Sequence, residues 1–365
     1  MLRAPRPVAH PRQGEGAEPA QPARVTVETP SPPALGKGPG LDDLIDGFGR
    51  RFHYIRLSIT EVCNFRCTYC LPDGFKKTGP LTFLTPLECE RVVRVFAGLG
   101  VSKIRLTGGE PSVRRDLPEI IARTAAVPGV SKVCITSNGW NLDRQVAGWR
   151  DAGLTNLNVS IDSLDRESFH RITGHDRLPA VVAGLDRALD LGVPTVKVNG
   201  VLLRDTAEAG FEAFAAFVRD RPVAVRFIEL MRTGDNADYF ADQHVPGAIL
   251  TDWLTARGWS PRPRAFDDGP AVEMVHPDYA GRIGLIAPYA PGFCDSCNRL
   301  RITARGQLRL CLFGELGVEL KDLLEADEPD ALRARILKAL AGKPAGHRLH
   351  EGNSGDTRHL AQFGG

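Results

Sequence analysis

The strongest constraint on the fold is a regular alternation of short apolar runs and helical periods between residues 54 and 230. Six strands are predicted, at residues 54–59, 103–106, 132–136, 156–160, 195–201 and 223–230. Helices are predicted between them, at residues 86–99, 117–126, 142–152, 178–191 and 207–219. Repeated βα units of this length indicate a parallel sheet with helices outside it. The predicted fold class is therefore α/β, a partial (β/α)6 TIM-like barrel with a C-terminal extension.

Composition divides the 365 residues into three predicted parts. Residues 1–40 are rich in proline, alanine and glycine, and we expect disorder there because such a stretch cannot bury enough surface to offset its ordering entropy. Residues 41–235 carry the barrel pattern, and residues 236–365 form a C-terminal region that ends in Gly-Gly. The first dozen residues contain three arginines and no acid, as in an organellar transit peptide. Serine is absent before Ser31 and no helical period is present, which favours a dispensable tail.

A cysteine loop follows the first predicted strand directly. Cys63, Cys67 and Cys70 form a C-x3-C-x2-C arrangement, with Tyr69 immediately before the third cysteine. Structural zinc sites use four protein ligands. Three thiolates on one loop instead suit a cubane iron–sulfur cluster, in which one iron is left without a protein ligand and can bind a small molecule. A partial zinc site or chance spacing is the alternative.

A second cysteine group lies far downstream, at Cys294, Cys297 and Cys311. Again there are three thiolates, so again an iron would be left open. A zinc site completed by a histidine such as His276 is the alternative.

Cationic side chains alternate on several predicted strands. Arg299 and Arg301 share one face of a strand between the last two cysteine positions, and Lys197 and Arg226 occupy the fifth and sixth strands of the barrel. Inward cations are costly unless an anion meets them. Two neighbouring guanidiniums make a good phosphate clamp, although an isolated R-x-R is also typical of a solvated face.

Polar turns follow three of the predicted strands. They read Thr107-Gly108-Gly109-Glu110-Pro111, Thr136-Ser137-Asn138-Gly139 and Ser160-Ile161-Asp162-Ser163. Functional groups of barrels gather at the carboxyl ends of strands. Paired glycines allow close approach to a ligand, and a carboxylate beside them can accept from an ammonium group. Helix capping is the alternative for the serine, threonine and aspartate residues.

Charge and cysteine usage exclude several classes of protein. The net charge of +2 provides no general basic field, so no nucleic-acid partner is expected and any anion site must be local. No apolar stretch is long enough to span a membrane and no signal peptide is recognised, so we expect a cytoplasmic protein without a membrane partner. Six of the eight cysteines fall in the two triplets, which favours metal binding over disulfides. Cys89 and Cys134 are predicted to be buried core thiols.

Taken together, these motifs resemble one enzyme family. The first triplet with Tyr69 resembles the cluster motif of the radical S-adenosylmethionine (SAM) enzymes. With GGEP, TSNG, SIDSLD, VKVN, RFIELM, C-x2-C-N-R-L-R-x-T and the terminal Gly-Gly, the chain resembles the GTP 3′,8-cyclases that open molybdenum cofactor biosynthesis. The resemblance covers about residues 48–365. It departs from the family at Ser137, where threonine is frequent, and at Phe363, where isoleucine often precedes Gly-Gly.

The resemblance implies a set of site residues. The first [4Fe–4S] cluster would be held by Cys63, Cys67 and Cys70, and the second by Cys294, Cys297 and Cys311. SAM would contact Tyr69, Gly109, Ser160 and Met231. GTP would contact Arg56, Arg105, Thr136, Lys197, Arg226, Arg299, Leu300 and Arg301, with Lys103 a weaker candidate. The catalytic tail would be Gly364 and Gly365.

The resemblance also implies the reaction and the partners. Such an enzyme is a lyase that cleaves SAM reductively, abstracts hydrogen from C3′ of GTP, and joins C3′ to C8 to give 3′,8-cyclo-7,8-dihydro-GTP. Expected partners are GTP, a flavodoxin- or ferredoxin-like electron donor and the downstream cyclic pyranopterin monophosphate synthase, and a homodimer is compatible with the family. Two other interpretations stay open at this point. One is a radical SAM enzyme that modifies a peptide, and the other is a non-catalytic protein in which the cysteine triplets only staple the fold.

Overall fold

The predicted alternation of strands and helices is present in the structure. The computed structural model describes residues 44–77, 79–265, 268–315 and 317–362, which belong to one compact unit, Gly38–Gly365. The predicted tail at residues 1–40, together with Gly364 and Gly365, lies outside the described residues. The six predicted strands are β1 (Tyr54–Thr60), β2 (Lys103–Gly108), β3 (Lys132–Ser137), β4 (Asn156–Ser160), β5 (Thr195–Leu202) and β6 (Ala224–Glu229).

Helices follow the strands as the apolar periods predicted. They are α1 (Pro86–Gly98), α2 (Leu117–Ala126), α3 (Leu142–Asp151), α4 (Arg166–Thr173), α5 (Leu178–Asp190) and α6 (Ala207–Arg219). Helix α4 is an addition to the prediction. It is only eight residues long, begins after Asp165, whose side chain accepts from the amide of Ser168, and ends at Gly174 in a left-handed conformation. Two turns are too short to show a clear helical period in the sequence.

The C-terminal residues add strands to both edges of the same sheet. These are β7 (Ser260–Pro261), β8 (Val272–Val275), β9 (Arg282–Ile286), β10 (Arg299–Ile302), β11 (Gln307–Arg309) and β12 (Val318–Glu319). Among the described residues, the strand order is β12-β11-β10-β1-β2-β3-β4-β5-β6-β9-β8-β7. The strands from β10 to β9 run parallel, and the outer strands are antiparallel. Because the sheet is not closed, the partial-barrel prediction is confirmed.

Alternation along the strands separates an apolar outer layer from a polar interior. On β1, Ile55, Leu57 and Ile59 are fully buried in the hydrophobic core beneath the helices. The residues between them face the interior, where Arg56 lies in register with Arg105 on β2 and with Arg301 on β10. Cationic side chains from distant parts of the chain are thereby brought onto one surface.

The remaining helices follow β6 in the chain. They are α7 (Ala237–Gln243), α8 (Ala248–Thr255), α9 (Lys321–Ala326) and α10 (Pro329–Leu340). Cys89 and Cys134 are completely buried, as predicted. In the part of the chain that is described, every helix is too short or too polar to pass through a lipid bilayer.

Candidate active site

The first cysteine loop lines a cavity of about 160 Å³ at the carboxyl ends of the strands. Cys63, Cys67 and Cys70 all contribute to its wall. Helix α4 holds the loop in place, because the backbone amides of Arg66 and Thr68 donate to carbonyl oxygens at its C-terminal end, at 3.0 and 2.9 Å. The helix that the sequence did not reveal therefore positions the first thiols.

The residues predicted to contact SAM lie in this same cavity. Tyr69, Gly109, Ser160 and Met231 all line it. Glycine is required at position 109, since a Cβ there would lie 2.6 Å from the carbonyl oxygen of Glu61. The four residues come from separate βα units, and the barrel brings them together.

Two buried carboxylates complete the smaller cavity. Glu110 accepts hydrogen bonds from the amides of Ser112 and Asn138, at 2.9 and 2.6 Å, and from the Ser137 hydroxyl at 2.8 Å. Burial nevertheless raises the pKa of Glu110. Its hydrogen bonds fix the turn after β3, so within the chain this carboxylate already has three donors.

Asp162 does not cap a helix. Its carboxylate accepts from the Tyr69 hydroxyl at 3.1 Å and from the backbone amide of Val201 at 2.8 Å. Burial raises the pKa of Asp162 to about 6. The side chain links the cysteine loop to β5, a contact between distant segments that local sequence could not indicate.

A larger cavity of about 300 Å³ fills the barrel interior. Cys294, Cys297 and Cys311 line it together. The loop that carries Cys294 is tied down by Arg50, whose guanidinium donates to the carbonyl oxygens of Cys294 at 3.1 Å and Pro344 at 2.7 Å. Asp46 forms a buried ion pair with Arg50. No motif in the sequence pointed to this pair.

Cationic side chains dominate the wall of the larger cavity. Those predicted to bind GTP are all present, namely Arg56, Arg105, Lys197, Arg226, Arg299 and Arg301. Lys103, Lys132, Arg262 and Arg282 line it as well. Of these four, only Lys103 was suggested by the sequence. The strand register places Lys132 and Arg282 on the interior face, because they are the first residues of β3 and β9.

Burial beside like charges lowers the pKa of several of these cations. The pKa of Arg301 falls to about 9 because of burial and the charges of Arg56 and Arg299. Burial and the charge of Arg105 lower the pKa of Arg226 to about 10. Within the described residues, the buried Nε atoms of Arg226, Arg299 and Arg301 have no hydrogen-bond partner. A buried donor without a partner costs free energy, and so does the repulsion between buried cations. An anion in this cavity would reduce both costs.

Neutral groups satisfy only part of the cationic wall. The Asn199 side-chain oxygen accepts from Arg226 at 2.8 Å, and Tyr54 accepts from Arg105 at 2.7 Å. With its amide oxygen turned toward the guanidiniums, Asn158 accepts from Arg226 at 2.6 Å and from Arg105 at 3.2 Å. Burial alone would raise the pKa of Tyr54, but the neighbouring cations lower it to about 8.

One carboxylate stands behind this wall. Glu273 on β8 is buried, and its oxygens lie 3.4 Å from both Lys197 Nζ and Arg262 Nη2 and form an ion pair with Arg282. Burial, with the nearby charge of Arg226, lowers the pKa of Lys197 to about 8, whereas the Glu273 carboxylate opposes that change. Glu273 was not singled out from the sequence, because nothing local marks it as a partner of Lys197.

The two cavities are neighbours. Asn199, Ile228 and Met231 contribute to the walls of both. A ligand in the thiol-lined smaller cavity and another in the cationic larger cavity would therefore meet at these three residues.

Known proteins share this arrangement along most of the chain. The family model for the Radical SAM superfamily matches residues 57–218, and that for Molybdenum Cofactor Synthesis C matches residues 223–349. The GTP 3′,8-cyclase of Stenotrophomonas maltophilia (strain K279a) is 58% identical over 326 residues, which cover 89% of this chain and 100% of the relative. The GTP 3′,8-cyclase of Vibrio parahaemolyticus serotype O3:K6 (strain RIMD 2210633) is 52% identical over 323 residues, covering 88% of this chain and 97% of the relative. This chain belongs to the GTP 3′,8-cyclase family.

Membership of the GTP 3′,8-cyclase family makes the chain a radical SAM enzyme that uses SAM and an iron–sulfur cluster. The fold agrees with this assignment. The crystal structure of Streptococcus suis SuiB bound to S-adenosylmethionine superimposes with a TM-score of 0.56 at 13% identity, covering 85% of this chain and 77% of SuiB. At that identity the similarity concerns the fold alone.

The cysteines of this GTP 3′,8-cyclase family member suit clusters better than single ions. Across the described ranges, no three or more His, Cys, Asp or Glu side chains are gathered as one metal ion would require. A four-iron cube presents its irons at separate corners, so its thiolates need not converge on one point. His276, the alternative zinc ligand, packs instead against Trp259 and Tyr279, with ring centroids 5.6 and 5.0 Å away.

Burial favours the protonated form of the thiols on the first cysteine loop until a metal displaces the proton. Burial raises the pKa of Cys63 to about 11 and that of Cys70 to about 12. A metal that binds a thiol removes its proton. The three thiols, the backbone approach at Gly109 and the adjoining cavity therefore fit an iron–sulfur cluster with room for a ligand.

Two residues of the implied GTP set lie elsewhere. Thr136 lines the smaller cavity, where its hydroxyl accepts from Arg105 at 3.2 Å. The side chain of Leu300 points away from the interior and is completely buried in the hydrophobic core. Alternation on β10 explains this, since its neighbours Arg299 and Arg301 face the cavity. Leu300 could reach a ligand only through its backbone, so its GTP contact stays a prediction.

Proposed function

We propose that this GTP 3′,8-cyclase family member converts GTP to 3′,8-cyclo-7,8-dihydro-GTP, the first step of molybdenum cofactor biosynthesis, with SAM in the smaller cavity and GTP in the larger one. The observation that carries the proposal is the junction of the two cavities at Asn199, Ile228 and Met231. It would bring the ribose of one ligand beside the adenosyl carbon of the other.

The triphosphate would be held by the cationic wall. The charge would come from Arg56, Arg105, Lys197, Arg226, Arg299 and Arg301. Three of these residues, Arg226, Arg299 and Arg301, have a buried Nε donor without an acceptor in the described part of the chain. Hydrogen bonds to charged groups contribute about 1.5–3 kcal/mol each. Several of them acting on one polyanion would outweigh the repulsion that the cations exert on each other in its absence.

Both cysteine triplets would hold [4Fe–4S] clusters. Cys63, Cys67 and Cys70 would bind the first, beside Tyr69, Gly109, Ser160 and Met231 for SAM. Cys294, Cys297 and Cys311 would bind the second, at the end of the larger cavity where Phe293, Phe313 and His347 offer an aromatic surface for guanine. When bound, the first cluster and SAM supply the 5′-deoxyadenosyl radical that takes the C3′ hydrogen.

The protein's own contribution is to position the reactants and shield them. The cations would grip the triphosphate and the aromatic end would grip the base, so the ribose between them is fixed at the junction. Such positioning must hold C3′ close to the adenosyl carbon, because a displacement of about 1 Å can cost about 100-fold in rate. Half-buried apolar side chains such as Ile228 and Met231 would keep water from the reacting carbons.

The remaining parts of the proposal follow from the family. Gly364 and Gly365 would extend from the last described residues toward the active site, where a side chain would not fit. A flavodoxin- or ferredoxin-like donor would supply electrons, and cyclic pyranopterin monophosphate synthase would take the product, in the cytoplasm. A homodimer is part of the same proposal.

Isotope transfer tests the proposed reaction directly. The enzyme is reconstituted without oxygen, reduced, and incubated with SAM and GTP deuterated at C3′, and the 5′-deoxyadenosine is analysed by mass spectrometry. We expect one deuterium in that product. Unlabelled 5′-deoxyadenosine would keep the radical SAM chemistry but exclude C3′ as the target. If a fully loaded enzyme formed no 5′-deoxyadenosine, that result would favour clusters with a purely structural role.

A further inference from the structure

The loop between β6 and α7, residues 230–236, runs from the shared wall of the two cavities to the first cysteine loop. Met231 near its start contributes to the walls of both cavities. Asn236 at its end is only 7% exposed and, within the described residues, lines neither cavity. A buried polar side chain outside both cavities needs partners in the chain, and its partners show what it does.

The side-chain amide of Asn236 makes three hydrogen bonds. Its nitrogen donates to the carbonyl oxygen of Met231 at 3.0 Å and to that of Tyr69 at 3.3 Å. Its oxygen accepts from the backbone amide of Thr233 at 2.7 Å. Because the oxygen faces a donor and the nitrogen faces two acceptors, the partners fix the orientation of the amide. One side chain thus joins the backbone of the first cysteine loop to that of Met231.

Helix capping does not explain Asn236. The residue directly precedes α7, a position at which asparagine often accepts from an amide of the first helical turn. In the described part of the chain, the Asn236 side chain makes no such hydrogen bond. Its donor and acceptor instead serve the loop before the helix and the first cysteine loop.

Helix α7 contacts the first cysteine loop a second time. The Thr68 hydroxyl donates to the Tyr239 hydroxyl at 2.9 Å. Tyr69 and Tyr239 also pack against the same small apolar cluster, which contains Leu230. The two residues that precede Cys70 in the chain are therefore both held by α7 and the loop before it.

The far end of α7 is fixed to β6. His244 directly follows the helix, and its Nε2 atom lies 2.9 Å from the carboxylate of Glu229, the last residue of β6. Glu229 is buried, and the His244 ring stacks on Phe240 with ring centroids 4.5 Å apart. With both ends of the helix held, Asn236 has a rigid base from which to act.

The middle of the 230–236 loop is held from another side. The amide of Gly234 donates to the carbonyl oxygen of Thr357 at 2.9 Å, and the amide of Asp235 donates to that of Arg358 at 3.1 Å. The loop is thus bound to residues 357–358 through its backbone and to the first cysteine loop through the Asn236 side chain.

We propose that Asn236 is a positioning residue for the radical step, which holds Tyr69 and Met231 at a fixed separation and thereby fixes SAM against the GTP ribose. The inference rests on the proposed function, because it requires Tyr69 and Met231 to contact SAM. These two residues belong to distant segments of the chain, and Asn236 is hydrogen-bonded to both.

Loss of this positioning has a specific chemical signature. A displacement of about 1 Å between reacting groups can cost about 100-fold in rate. A 5′-deoxyadenosyl radical that misses C3′ of GTP takes its hydrogen atom from another C–H or S–H donor. 5′-Deoxyadenosine then forms without the cyclised product. With GTP deuterated at C3′, the fraction of 5′-deoxyadenosine without deuterium measures this loss, whereas a general loss of folded enzyme lowers only the total amount.

Asn236→Asp tests the two donated hydrogen bonds. Aspartate has the same shape and keeps the oxygen that accepts from Thr233, but a carboxylate cannot donate to Tyr69 or Met231. We expect SAM affinity to fall about tenfold, GTP affinity to stay unchanged and the unlabelled fraction of 5′-deoxyadenosine to rise. Equilibrium dialysis of each ligand without oxygen or reductant, on protein loaded with iron and sulfide, measures affinity independently of turnover.

Two further variants control for side effects of the substitution. Asn353→Asp makes the same atomic change in a residue whose oxygen accepts from the amide of Gly355 at 2.8 Å, and it should behave as the parent protein. Asn236→Ser keeps a favoured residue before α7 but has a hydroxyl too short to reach both carbonyl oxygens. It should change SAM affinity and labelling in the same direction as Asn236→Asp, so the test does not depend on how well the aspartate variant folds.

The outcomes separate this inference from the proposed function. Parent values of SAM affinity and labelling in both Asn236 variants, at full iron content, would overturn the positioning role and leave the proposed function intact. A lower yield with an unchanged labelled fraction would also overturn it, because Asn236 would then only stabilise the fold. If the parent protein formed no labelled 5′-deoxyadenosine, the proposed function would fail first.

Discussion

The two cavities meet at a shared wall but differ in charge. The smaller one contains three thiols and the buried carboxylates Glu110 and Asp162, while ten cationic side chains line the larger one together with three thiols and the Asp268 carboxylate. A polyanion is therefore attracted to one and repelled from the other. The contrast means that electrostatics alone would direct a nucleoside triphosphate away from the first cysteine loop and orient it with its phosphates in the barrel interior.

The cavities also differ in how many of their polar groups have hydrogen-bond partners within the described part of the chain. Glu110 has three donors of its own, whereas four buried arginine Nε atoms in the larger cavity have no acceptor in the described part of the chain. The smaller cavity is organised without a ligand, and the larger one is completed by it. Since a ligand that binds only the folded state stabilises it, a triphosphate should stabilise this protein strongly.

Substitution of Gly109 should disrupt the smaller cavity and leave the larger one unchanged. We expect the largest loss of activity from this change. In Gly109→Ala the new methyl group would overlap the backbone of Glu61 and Val62, at a cost of about 1–3 kcal/mol from overpacking. SAM cleavage should fall to the detection limit while GTP affinity is unchanged. Formation of 5′-deoxyadenosine and equilibrium binding of each ligand measure this.

Gly148→Ala is the matched control for the added methyl group. Gly148 lies inside α3, and nothing lies within 4 Å of the position that a methyl group would take there, so this substitution should be neutral or slightly stabilising. Normal SAM cleavage in Gly109→Ala would show that close backbone approach at position 109 is not needed.

Removal of one cation should affect only the larger cavity. Arg301→Met should weaken GTP binding about 10- to 100-fold, because a charge-assisted contact contributes about 1.5–3 kcal/mol. Without ligand the variant should be as stable as the parent or more stable, since the substitution removes repulsion from Arg56 and Arg299. Calorimetric GTP titration and thermal unfolding measure the two effects.

Arg305→Met serves as the control, because Arg305 lies on the surface and pairs with Glu61. It should leave GTP affinity unchanged, since a surface ion pair contributes about 0–1 kcal/mol. Equal GTP affinity in Arg301→Met and Arg305→Met would argue against a phosphate contact at position 301.

The third effect is smaller and depends on pH. The pKa of Lys197 is lowered to about 8 by burial and the charges of Arg226, Arg282 and Lys103, while Glu273 opposes the decrease. In the free protein Lys197 is charged below pH 8 and loses its proton as the pH rises. GTP affinity should therefore fall about fivefold or more above pH 8. Affinities measured from pH 6.5 to 9.5 test this.

Two variants sharpen this pH dependence. Lys197→Arg should move the inflection from near pH 8 to higher pH, because a guanidinium holds its proton more tightly than an ammonium group does. Glu273→Gln removes the carboxylate that raises the Lys197 pKa, so the inflection should move to lower pH. An inflection that stays in place in both variants must belong to another group, of which Tyr54 is the nearest candidate.

Local patterns predicted the elements and most of the site, but not the contacts that organise it. Alternation revealed the strands of the barrel, and the inward arginines on β6 and β10 followed from it. Cysteine spacing predicted the two groups of thiols, each of which lines one cavity. Glu273 and Arg50 were not predicted, because each contacts residues far away in the chain. Leu300 was placed by resemblance to the family, whereas alternation alone would have put it in the core.

The register between β1 and β10 has a consequence for biosynthesis. Arg56 on β1 lies in register with Arg301 on β10, and β10 is synthesised near the end of the chain. Until then, one edge of β1 has no partner strand. At about 5–20 residues per second, that edge stays open for roughly 10–50 s on the ribosome. An open strand edge invites pairing with other chains. Two arginines that lie side by side on the cationic wall are thus also among the last parts of the barrel to meet.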